Sequence, residues 1–176
     1  MGRHASEISE IDAWRRYILI FVTLGTQKFQ MNRLVKAADE LATQISEEVF
    51  VQKGWSDYVP KNCEYTDFMD VDEYNKKIAE CSVLVTHAGV GTIISGINAK
   101  KPIIVVPRKN KYLEHVDDHQ CQIAEAFSSK GCVLRCEEVD ELKDYIETAR
   151  TFDFKPYELK GGNIEETIMR FINIFD

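Results

Sequence analysis

The stretch Cys81-Ser82-Val83-Leu84-Val85-Thr86-His87-Ala88-Gly89-Val90-Gly91-Thr92 decides the architecture. Residues 81–86 are a short apolar, β-branched run without polar alternation, the pattern of a strand buried on both faces. His87-Ala88-Gly89 closes the run, and residues 91–100 then suit a helix. A strand covered on both sides needs helices on each face, so the rest of the chain must supply them.

Working outward, residues 17–24 (YILIFVTL) form a second run of the same kind. Gly25-Thr26-Gln27 breaks it, and Leu34, Val35, Ala38, Leu41, Ala42 and Ile45 follow with helical spacing. Residues 49–52 read as a short strand and residues 63–66 as a weaker one. Residues 70–80 suit a helix with Val71, Tyr74 and Ile78 inward. Downstream, residues 102–106 (PIIVV) predict a strand stopped by Pro107. Residues 115–130 predict a long helix, 132–134 a short strand and 139–149 another helix. Residues 152–162 read as a connector. In residues 163–175, Ile164, Ile168, Phe171, Ile172 and Phe175 recur at helical spacing behind Asn163, a plausible N-cap.

Strands alternate with helices throughout. The fold class is therefore α/β, a doubly wound parallel sheet in one Rossmann-like domain. Its expected bounds are residues 17–176, including a final helix at 163–175. Residues 1–16 are an N-terminal extension with Ile8, Ile11 and Trp14 on one stripe.

The chain has 176 residues, which suits one domain with a sizeable core. Lys and Arg number 22 against 29 Asp and Glu, so the net charge is −7. That balance argues against nucleic acid as a partner, because neutralising phosphates needs a basic surface. Arg108, Lys109 and Lys111 form the best local basic cluster. Five cysteines, an odd number with no CxxC pair, read as reduced thiols of a cytoplasmic protein. The apolar run at 17–24 is far shorter than the ~20 residues that span a bilayer, and no signal peptide is read.

In an open α/β sheet, ligands sit beyond the carboxyl ends of the strands. The loops after Leu24, Thr66, Thr86 and Val106 are therefore the informative places. His87, His115 and His119 lie in or after two of them, as do Gly89, Gly91 and Gly96. In THAGVGT, a strand ends, two glycines admit close backbone approach and a helix begins. Such a turn presents free N–H groups and a helix dipole to a phosphate or diphosphate. Val90 lies within it, Thr92 adds a hydroxyl and His87 an imidazole N–H. The alternative is a tight strand–helix turn with an ordinary cap. The fragment is GxGxxI after a late strand, and no GxxxxGK[ST] exists, which speaks against NAD and a P-loop.

Residues 108–120 (RKNKYLEHVDDHQ) crowd donors and acceptors at a helix start. Glu114, His115, Asp117, Asp118, His119 and Gln120 can grip sugar hydroxyls. Two other readings stay open: a capped, solvated helix start, or a metal held by His115 and His119 with His87 or Asp118. The latter lacks HExxH or cysteine support, so no metal is assigned. Gly25 and Thr26 can face the same cleft, and Phe68 with Met69 can seat a base.

FVTLGTQ, TDFMD, THAGVGT, KKPIIVVPR and EHVDDHQ, in this order, resemble the C-terminal domain of glycosyltransferase family 28. That domain is the nucleotide-sugar half of the GT-B fold, and the likeness covers about residues 17–175. Among the family's members, the chain resembles the short single-domain ones. These are the catalytic subunit of the eukaryotic dolichol-linked UDP-GlcNAc transferase and the bacterial PssE-type exopolysaccharide and capsule proteins. KYLEHVDDHQ looks particularly like the bacterial branch.

The resemblance implies an inverting hexosyltransferase subunit that takes a UDP-sugar donor as substrate, with no further cofactor. It implies a lipid-linked saccharide acceptor in exopolysaccharide or capsule synthesis. By the same likeness, Gly25 and Thr26 line the cleft and Phe68 and Met69 lie by the uracil. His87, Gly89, Gly91 and Thr92 hold the diphosphate, and His119 and Gln120 meet the sugar. Many members carry a Glu where this chain has Ser95, which leaves the Ser95 hydroxyl or a partner group for the ribose. A GT-B enzyme faces two domains across a cleft, and 176 residues hold one. The resemblance therefore implies a membrane-anchored partner subunit that carries the acceptor domain and the catalytic base. It places this chain in the cytoplasm, peripheral at the inner membrane face. The alternative is a non-catalytic enhancer that binds and stabilises such a partner.

Overall fold

The computed structural model describes residues 19–157. The expectations for residues 1–16 and 163–175 lie outside the described residues. Among the described residues, six parallel strands form one sheet in the order β3-β2-β1-β4-β5-β6. They are β1 (Leu19–Thr23), β2 (Glu48–Gln52), β3 (Glu64–Thr66), β4 (Val83–Thr86), β5 (Ile103–Val105) and β6 (Leu134–Arg135). The helices are α1 (Asn32–Leu41), α2 (Val71–Glu80), α3 (Val90–Asn98), α4 (His119–Ser128) and α5 (Leu142–Ala149).

The two-residue side-chain period of a strand divides each apolar run between two cores. Ile20 and Val22 of β1, Val83 and Val85 of β4 and Ile104 of β5 face one core, with Leu34 of α1 and Ile146 of α5. Phe21, Leu84 and Ile103 face the other, with Ile78 of α2, Ile93 of α3 and Phe127 of α4. Both faces are thus covered, which is why these strands lack a polar side. Each fully buried Leu, Ile or Phe contributes about 1.5–3 kcal/mol of transfer free energy.

The strand order reverses between β1 and β4, which pair in register from Ile20 with Val83 to Thr23 with Thr86. Connections leaving the two strands run to opposite halves of the sheet, and a crevice opens beyond their carboxyl ends. Gly25 and His87 are brought together there.

Three sequence expectations are corrected. The helix expected at 115–130 begins at His119. Residues 115–118 are held as a loop because Asp118 accepts the Asn110 N–H at 2.8 Å, and the Asn110 amide caps the carbonyls of His115 and Val116. The short strand at 132–134 sits instead at Leu134–Arg135, where it pairs with Ile104 and Val105. The helix expected at 139–149 opens with a 3-10 turn at Val139–Glu141 before α5.

Candidate functional site

A cavity of about 360 Å³ lies at the switch point. Gly25 and Thr26 line it from the β1 loop, and Met69 and Asp70 from the β3 loop. Gly91, Thr92 and Ser95 line it from α3. Six residues picked out from sequence are thereby brought together: Gly25, Thr26, Met69, Gly91, Thr92 and Ser95. Gln52, Asp70, Val71 and Tyr74 line it too and were not singled out as site residues. Gln52 ends β2 and accepts a 2.6 Å hydrogen bond from Thr23, so the pairing of β1 with β2 puts it at the crevice.

The first turn of α3 has no side-chain cap: Gly89 stands at the cap position. By contrast, Asp70 caps α2 by accepting the Glu73 N–H at 2.8 Å. The leading amides of α3 therefore keep their hydrogen-bonding capacity beside the cavity. A β-carbon on Gly91 would meet nothing within 4 Å, so this turn opens onto free space. Ser95 donates to the Gly91 carbonyl at 2.9 Å from the next turn. Val90 packs on the Phe21 side of the sheet, and only its backbone belongs to the turn.

His87 is buried between the two loops. A β-carbon on Gly25 would lie 2.5 Å from its Nε2, and one on Gly89 would lie 2.2 Å from its Cε1. Gly25 also has φ +68°, a left-handed conformation that glycine adopts without strain. The two glycines thus form a slot for the imidazole. Burial first, then the nearby Arg108 charge, lowers the His87 pKa to about 3, so the ring is neutral at physiological pH.

The EHVDDHQ residues knit the 108–118 loop, and none of them lines this cavity. Glu114 is buried and takes Arg33 of α1 at 2.8 and 3.0 Å, with the Lys109 N–H at 3.1 Å. His115 packs on Phe29 and lies 2.9 Å from Asp117. His119 is partly exposed, with its Nε2 3.4 Å from the same carboxylate. Gln120 is buried and bonds Ala88, Arg108 and His87. Asp118 is committed to Asn110.

Two more readings change. Arg108 and Lys109 are buried rather than a surface basic patch. The Arg108 guanidinium donates to the carbonyls of Leu24, Phe29, Gln30 and Glu114, binding the β1 loop to the β5 loop. Burial lowers its pKa to about 10, with Glu114 opposing. Gly96 is a packing residue in mid-helix: a β-carbon there would lie 2.7 Å from Leu84 Cδ2. Phe68 is 43% exposed and packs edge-on against Trp55 at 5.6 Å, at the rim of the crevice.

The sheet order and the switch-point cavity define the class: a Rossmann-like domain of the kind that forms the C-terminal half of GT-B glycosyltransferases. Residues 19–172 match the model of the glycosyltransferase family 28 C-terminal domain, and the chain belongs to that family. It is similar to a Candida albicans protein named UDP-N-acetylglucosamine transferase subunit ALG13, with 32% identity over 73 residues. That match spans 41% of this chain and 23% of the relative. Similarity to the Homo sapiens protein of the same name is 26% over 126 residues, spanning 66% of this chain and 11% of the relative. The chain thus spans less than a quarter of the length of either relative. The solution structure of an ALG13 shares the fold at TM-score 0.57 and 19% identity, over 91% of this chain and 98% of that one.

Proposed function

We propose that this chain binds the UDP-sugar donor of a two-component inverting glycosyltransferase. The observation that carries the reading is the switch-point cavity, where the uncapped α3 turn, the open face of Gly91 and the Gly25 loop converge. These features suit a diphosphate at the α3 amides, with Met69 and the Phe68–Trp55 pair toward the base. Thr92 and Ser95 supply hydroxyls. Glu114, Asp118 and Gln120 act by holding the loop scaffold, and His119 is the sugar-facing candidate of the EHVDDHQ group.

The transfer takes a hexose to a lipid-linked acceptor in exopolysaccharide or capsule synthesis. Inversion needs a base at the acceptor hydroxyl and stabilisation of the leaving diphosphate. The helix turn suits the second task. Asp70 is the acid among the described cavity-lining residues, and it caps α2. We therefore assign the base to a membrane-anchored partner that carries the acceptor domain and holds this chain at the cytoplasmic membrane face. Two features support a partner: the relatives are named as subunits, and large apolar side chains stand exposed on the carboxyl-end loops and at the start of α2. They include Trp55, Phe68, Val71, Leu113 and Val116. Among the described residues, no helix is long and apolar enough to cross a membrane.

Calorimetric titration with UDP, with NADH as control, tests the donor site. Transfer assays with and without the partner test the division of labour. The expected result is binding of UDP alone, and activity only in the reconstituted pair that His87→Ala lowers by about tenfold or more. Absence of UDP binding overturns the reading. A reconstituted pair indifferent to His87→Ala favours the enhancer role, the second reading, for which speaks that Asp70, the acid among the described cavity-lining residues, is committed to capping α2.

A further inference from the structure

Gln120 stands in the first turn of α4, and its side chain spans three partners. Oε1 accepts from the backbone N–H groups of Ala88 and Arg108, each at 3.1 Å. Nε2 lies 3.2 Å from His87 Nδ1. Two converging N–H donors identify their corner of the amide as oxygen, because the reversed amide would set its NH2 against both. The other corner must then donate, and His87 Nδ1 must accept. A neutral imidazole with a bare Nδ1 carries its proton on Nε2.

We propose that Gln120 is a positioning residue that holds His87 as the neutral Nε2–H tautomer, a fixed donor set against the Gly25 turn of the cavity. This rests on the nucleotide-sugar reading for its use, but not for its geometry. The slot between Gly25 and Gly89 fixes the ring, and Gln120 fixes the proton. The charged or titratable groups acting on the ring are Arg108 from the β5 loop and His115 from the following loop. Both oppose a second proton, in the same direction as burial. Such a donor keeps its Nε2 proton and stays neutral across the neutral pH range. An imidazolium in this place would sit buried beside a guanidinium.

Long-range 1H–15N spectroscopy of the histidine rings of the full chain, without ligand, reads the tautomer directly. His87 is assigned through the backbone and by loss of its signal in His87→Gln. The expected spectrum has a pyridine-like Nδ1 and a pyrrole-like Nε2, unchanged from about pH 5 to about pH 9. Gln120→Glu keeps the acceptor for the two amides but turns the other corner into an acceptor. It should move the proton to Nδ1 and bring a His87 titration into the neutral range. UDP-glucose affinity should then fall with rising pH by about tenfold or more, while the wild-type affinity stays flat. A wild-type His87 that is Nδ1-protonated, or that titrates near neutrality, overturns the proposal. So does a folded Gln120→Glu protein with an unchanged tautomer. If that variant does not fold, the wild-type spectrum decides alone. The expected spectrum in a protein that binds no UDP-glucose would remove the nucleotide-sugar reading and uphold the hold of Gln120 on His87.

Discussion

His87 links local chemistry to stability. Its folded pKa is about 3 because burial and Arg108 penalise the charged ring, whereas an unfolded histidine titrates near about 6.5. Between these values the unfolded chain binds a proton that the folded chain does not. Stability is therefore complete above the unfolded value and falls as pH drops toward the folded one, by at most about 1.4 kcal/mol per pH unit. Denaturant unfolding of wild type between about pH 6.5 and about pH 4.5 should show this slope, and His87→Gln should flatten it. The upper part of the window isolates His87 from Asp39. Hydrogen bonds from Asn62, Tyr58 and Lys61 hold the Asp39 carboxylate below its usual range against the opposing effect of burial. The sequence marked His87 through its position at a strand end. It did not show the depth of burial, because that depends on Gly25, 62 residues away in the chain.

At the scale of the element, α3 carries two glycines with opposite roles. Gly91 faces open space at the cavity, and Gly96 is pressed against Leu84 and Ile103. Gly91→Ala should raise the unfolding free energy by up to about 1 kcal/mol, since alanine is the better helix residue. It should at the same time weaken UDP binding, because the added methyl occupies the approach to the α3 amides. Gly96→Ala should destabilise by about 1–3 kcal/mol through overpacking, with little direct effect on the cavity. Thermal unfolding with and without UDP separates the two. From sequence, both glycines read alike as part of one cluster after a strand. Helical rotation sends them to different faces: residue 91 turns toward solvent and residue 96 toward the sheet. The same limit applies to α4. Its apolar spacing was legible from Ile123 to Phe127, but its start was not, because Asn110 and Asp118 divert the preceding residues into a loop.

Across the whole molecule, Arg108 ties the two halves of the crevice. Its guanidinium is buried and reaches the Leu24 and Phe29 carbonyls on the loop after β1 as well as the Glu114 carbonyl on its own loop. Arg108→Met should leave these carbonyls without their donor and destabilise the protein by about 3 kcal/mol or more. The same variant should loosen the Gly25 turn, which hydrogen exchange of the β1 loop amides would report. Local patterning alone gave the α/β class, the parallel strands, and the strand-end loops as the place for chemistry. Those conclusions rest on apolar periods and on Gly and Pro breaks, which act within a few residues. The meeting of Gly25 with His87, the burial of Arg108 and the inward turn of Gln120 were settled by the sheet order β3-β2-β1-β4-β5-β6. That order depends on how crossover helices pack against both faces of the sheet. No spacing within one segment encodes which loops it will bring side by side.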